Sequence, residues 1–208
     1  MTDLQKIRFI TANFSALQGL KHIPIGLFMA YAAVFDDAQT GRAARDLTVP
    51  CLLTPVFILL YAIIHVYYRR NFGRVESSRP PRAMDAVILL GFLAIAWGAF
   101  AVDTLERVPV SFFAIFFALV LFLGQWGMVR QSGGKYPVAV PAGWICIALV
   151  FLSAFLPLLG GKAAGVFGFH SAFTLVSVGV GFLFALYGFF DHLFLVRAMA
   201  PAAEPGRG

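Results

Sequence analysis

Val110–Val129 reads VSFFAIFFALVLFLGQWGMV, twenty residues without one Asp, Glu, Lys, Arg or His. At about 1.5 Å of rise per residue, a helix of that length covers the roughly 30 Å of hydrocarbon in a bilayer. Working outward, five further apolar runs have comparable length: Leu17–Phe35, Leu47–Tyr68, Ala83–Val102, Val138–Leu159 and Ser171–Phe190. The first is the weakest, because its uncharged part, Ile23–Phe35, is short and Lys21 must snorkel to the headgroups. A run of that length also suits a re-entrant piece or a signal-peptide core. Its continuation to Phe35 and the long lead before it argue against a cleaved signal.

The composition agrees. Of 208 residues, 60% are apolar and 12% charged, and the mean hydropathy is +0.84. Soluble chains run near 45–50% apolar and about 25% charged. Six spans leave only short loops, so consecutive helices are expected to be antiparallel neighbours. This excludes a water-soluble enzyme, a large extramembrane domain, a disordered chain and a disulfide scaffold. The expected fold is all-α and polytopic: an amphipathic interfacial helix over 1–18, a six-helix transmembrane bundle over 19–197 and a flexible cytoplasmic tail over 198–208.

Basic residues set the orientation. With the N-terminus cytoplasmic, twelve of the 16 Lys and Arg fall inside, and only Arg42, Arg45, Arg107 and Lys162 fall outside. Both termini are therefore expected on the cytoplasmic side of an inner (plasma) membrane. Leu4, Ile7, Ile10, Phe14 and Leu17 recur at helical spacing and form one apolar stripe. That stripe suits a helix lying on the cytoplasmic leaflet, or one packed against the protein's own helices or a partner.

The loop Arg69–Arg82, RRNFGRVESSRPPR, carries Arg69, Arg70, Arg74, Arg79 and Arg82 against the single acid Glu76. Each basic residue near an anionic leaflet contributes about 1 kcal/mol, so anionic lipids are the expected partners there. Ordinary topology-setting charge accounts for the same cluster. The pI of 9.7 thus points to a membrane surface before nucleic acid. Small residues form two ridges, Gly91, Ala94, Gly98 and Ala101 in the third span and Ser177, Gly181, Ala185 and Gly188 in the sixth. In lipid, close backbone approach at such ridges holds helices together, within one chain or between a homo-oligomer's copies or a membrane complex's subunits.

No ionisable group falls at mid-depth, around Met29, Ile58, Ile95, Val120, Ala148 or Gly181, which counts against an ion-coupled carrier. At the cytoplasmic ends, Gln18, His22, His65, Asp85, Gln125, Arg130, Asp191, His192 and Arg197 reach similar depth. Three histidines and two carboxylates would suffice for Zn²⁺ or for acid–base work on a lipid headgroup. No HxxxH, HExxH or CxxC spacing specifies a metal, and polar residues collect at helix ends without any function. On the outside, Asp36, Asp37, Asp46, Asp103, Glu106, Arg107 and His170 suit a small polar cap, as a cation site or, the better account, as solvated loop charge. The phenylalanines are mostly lipid-facing bulk, or the lining of an apolar cofactor pocket. No Walker loop and no GxSxG is present.

The leading expectation is a non-catalytic membrane protein that acts by binding, as a subunit, scaffold or sensor. A channel or carrier for a small or apolar solute follows. An enzyme acting on lipid or quinone at the cytoplasmic surface, through His22, His65, Asp85, Asp191 and His192, is third.

Overall fold

A computed structural model describes residues 10, 14, 17–39, 48–72, 83–105, 108–131, 141–159 and 165–199. These form six α-helices: α1 (His22–Ala38), α2 (Thr48–Asn71), α3 (Ala83–Thr104), α4 (Phe112–Gln131), α5 (Pro141–Ser153) and α6 (Ala172–Met199). Short 3-10 turns occupy Gly19–Lys21 and Leu156–Leu159, and the described residues contain no strand. Arg74, Arg79, Arg82, the tail beyond Met199 and most of the segment before Leu17 lie outside the described residues.

Among the described residues, three helices are long and apolar enough to cross a bilayer: Cys51–Asn71, Phe112–Arg130 and Ala172–Arg197. The chain is a helical membrane protein on that ground. α1 is shorter because its first turn tightens into 3-10 geometry at Gly19–Lys21. α5 begins at Pro141, where the missing N–H costs nothing, and ends at Ser153, whose hydroxyl donates to the Val150 carbonyl at 2.7 Å. α6 runs past Phe190 to Met199, so Asp191, His192 and Arg197 are helical rather than loop residues.

The helices alternate in direction. Gly19 faces Gly188 and Gly26 faces Gly181, so α1 and α6 run antiparallel. The Ser111 N–H donates to the Ala154 carbonyl at 2.8 Å, joining the start of α4 to the end of α5. Asp103 at the end of α3 reaches the start of α4, and Tyr68 near the end of α2 reaches Leu20 before α1.

The core lies among α4, α5 and α6. Phe113, Phe117 and Leu121 interdigitate with Cys146, Ile147 and Val150 and with Val176 and Val180. Helical periodicity divides the phenylalanine-rich run: Phe113 and Phe117, four apart, point inward, while Phe112 and Phe122 are exposed. The aromatic bulk is therefore not all lipid-facing. A second cluster joins Ile10, Phe14 and Leu17 to Tyr68, Met128 and Leu195. Those three members of the N-terminal stripe are buried against the ends of α2, α4 and α6, not turned to lipid.

Candidate functional site

Close packing of α1 on α6 builds the interior. A Cβ placed on Gly181 would collide with the Gly26 carbonyl and the Ala30 nitrogen, and one on Gly188 would collide with the Gly19 carbonyl and the His22 side chain. Ala185 sits against Gly26 in the same seam. The partner of the sixth-span ridge is thus α1 with the turn before it, Gly26 against Gly181 and Gly19 against Gly188. Gly91 and Gly98 of α3, by contrast, have nothing within 4 Å of a Cβ position, and Ala94 and Ala101 are exposed.

At the end of this seam where α1 begins lies a buried polar layer. The Tyr187 hydroxyl donates to Gln125 Oε1 at 3.0 Å, linking α6 to α4. His22 lies against Phe184 and Tyr187, with ring centroids 4.8 and 6.2 Å apart. Asp191, one turn beyond Tyr187 on α6, is 1% exposed, as is Gln125. Gln125 Nε2, Asp191 Oδ1 and His22 Nδ1 have no hydrogen-bond partner among the described residues. Buried polar atoms without partners carry a desolvation cost, which a water or a small polar guest would relieve.

Next to this layer, the Tyr68 hydroxyl accepts the Leu20 N–H at 3.1 Å and lies 2.9 Å from His192 Nδ1. Tyr68 is 1% exposed, so this contact fixes the chain before α1 to α2 and α6. The structure thus brings together His22, Gln125, Asp191 and His192, with Tyr68 and Tyr187 added. Gln18 is half-buried, while His65, Arg69, Arg70, Arg130 and Arg197 are exposed. Asp85 lies in the first turn of α3, and its side chain is not among those described. No group of three His, Cys, Asp or Glu among the described residues could hold a metal ion.

The opposite end carries two capping arrangements. Asp103 accepts hydrogen bonds from the Ser111 hydroxyl at 2.5 Å and from the Phe112 and Phe113 N–H groups at 2.8 and 3.2 Å. Asp37 accepts from the His170 N–H at 3.1 Å, the Ser171 N–H at 3.3 Å and the Thr174 hydroxyl at 2.9 Å, with His170 Nδ1 2.9 Å away. Each carboxylate therefore comes from the end of one helix and satisfies the free N–H groups at the start of another. Burial pushes the Asp37 carboxyl up, but the hydrogen bonds from His170, Thr174 and Ser171 outweigh it and hold it below the usual range. Between these caps lies a cavity of about 350 Å³, lined by Asp36, Asp37, Asp103, Phe100, Thr174 and Ser177, among others.

Sequence reasoning misses the tyrosines and the capping role of the acids. Ser111 and Ser171, each just before a long apolar run, are the readable signal for a helix start. Nothing in the sequence says that the capping carboxylate comes from another helix. Comparison with known protein families, with curated proteins and with solved structures finds no match to this chain.

Proposed function

We propose that this chain is a six-span inner-membrane protein that acts by binding, as a subunit, scaffold or sensor within a membrane assembly. Both termini face the cytoplasm on this reading, following the bias of the basic residues. The supporting observation is α2. Within the span-length window of α2 only 6% of residues are buried inside the chain, against 39% for α4 and 33% for α6. A 21-residue apolar helix left this open is free for a neighbouring membrane chain. Asp37, Asp103, Ser111 and Tyr68 are meanwhile engaged in capping helices and tying them together.

The test is the assembly state in a gentle detergent, with cysteines placed at the exposed Leu59 and Ile63 for cross-linking. A second chain, identical or different, joined through α2 is the expected result. A lone chain at all concentrations, without any α2 cross-link, would overturn the reading.

One observation favours a second reading, a carrier or channel for a small solute. The cavity at the capped end and the partner-seeking atoms of Gln125, Asp191 and His22 lie toward opposite ends of the same α1–α6 seam. Flux of small polar solutes into reconstituted vesicles, lost in Gln125→Leu, would establish it.

A further inference from the structure

A groove of about 310 Å³ runs between α1 and α2, lined by Ile25, Phe28, Thr54, Phe57, Ile58 and Tyr61, and its walls are almost wholly apolar. It lies on the bundle's outer flank, with Ile58 65% exposed. Phe28 and Phe57 meet edge to face there, their centroids 5.5 Å apart. The volume falls at the lower end for small-molecule sites, enough for a length of hydrocarbon chain and not for a folded partner segment.

The stripe continues beyond the groove. On α2, His65 and Arg69 follow Tyr61 at four-residue steps, about 6 Å of rise each, and both are exposed. On the α1 side, Lys21 closes the 3-10 turn that leads into α1, one turn before Ile25. The bond from the Leu20 N–H to the Tyr68 hydroxyl brings the two basic ends to one level. None of the residues on this stripe is acidic. An apolar seat thus has two basic side chains and an imidazole in the chain just beyond one of its ends.

We propose that this groove binds one anionic phospholipid, with an acyl chain along Phe28, Phe57 and Ile58 and the phosphate between Lys21, His65 and Arg69. Any membrane lipid could fill the apolar part. The cations at the mouth select the sign of the headgroup, and basic pockets between membrane helices bind anionic headgroups in this way. The site rests on α2 being a membrane span. It holds whether the chain works as a subunit or as a carrier.

The experiment is native mass spectrometry of the full chain, titrated with phosphatidylglycerol or with phosphatidylcholine of the same acyl composition. Phosphatidylglycerol is expected to be retained preferentially as a single tight equivalent. Arg69→Gln should weaken that retention about fivefold, the value of one surface cation near an anionic headgroup. Ile58→Trp, which fills the groove and leaves the cations in place, should expel the tight equivalent. Arg130→Gln, on exposed Arg130 of α4 away from the groove, should leave it unchanged. Equal retention of the two lipids, or an equal loss in Arg130→Gln, would overturn the site and leave only diffuse surface charge. Cross-linking of α2 to a second chain with no lipid preference would overturn it too, while leaving the proposed function standing.

Discussion

Asp37 shows how one carboxylate can hold two helices in register. Its oxygens take the N–H groups of His170 and Ser171 and the Thr174 hydroxyl, so the last turn of α1 is tied to the first turn of α6. Removing a buried acceptor of several donors costs about 1–3 kcal/mol, and Asp37→Ala should lower the melting midpoint in detergent accordingly. The pH dependence has a definite sign. Because the folded carboxyl sits below its ordinary value, its stabilisation is complete above roughly pH 4 and is lost as pH falls through the lower, folded value. The wild-type chain should therefore lose stability below about pH 4 by more than Asp37→Asn does, since the amide has no such proton to take up. Identical acid limbs in the two melting series would show that the carboxylate's charge contributes nothing.

Among the elements, α1 and α6 form the tightest pair, and glycine is the reason. Helices in lipid gain little from the hydrophobic effect, so contact energy comes from how near their backbones approach. Gly19, in the 3-10 turn before α1, and Gly26 on α1 meet Gly188 and Gly181 on α6, and a side chain at either α6 position would strike backbone. Gly181→Leu should destabilise the bundle by about 1–3 kcal/mol or prevent its folding. Gly98→Leu, in the apparently similar ridge of α3, should stay within about 0.5 kcal/mol of wild type, because open space surrounds that position. A thermal shift measured side by side separates the two ridges. If Gly98→Leu proves as costly as Gly181→Leu, α3 is covered by a neighbour that only the assembly supplies. The two ridges look alike in sequence; which one faces a helix depends on neighbours, and Gly26 lies 155 residues before Gly181.

For the whole molecule, alternating helix direction puts the start of α2 and the interior of α5 in different surroundings. Cys51 is exposed and Cys146 is buried at 2% exposure. A maleimide applied to the folded protein should modify Cys51 alone, and Cys146 should react only after denaturation. In intact cells, an impermeant reagent should reach Cys51 from outside. Labelling only after the membrane is opened would invert the proposed insertion. The same whole-chain view shows what covers the described part of the N-terminal stripe. Its spacing suited a leaflet-bound helix equally well, yet Ile10, Phe14 and Leu17 are covered by Tyr68, Met128 and Leu195. An apolar stripe specifies that something apolar must cover it, not whether lipid or protein does so.

By itself the sequence determines that this chain is helical and belongs in a membrane, because run length and the near absence of charge are one-dimensional properties that a bilayer reads directly. It also marks the polar character of the helix ends. Only the tertiary structure decides which of those polar groups meet. His22, Gln125, Tyr187 and Asp191 converge while His65 turns outward, since a side chain's direction around its helix gains meaning only when the neighbouring helices are in place. It likewise decides that Asp37 and Asp103 are caps rather than free loop charge, because the donors they satisfy belong to other helices.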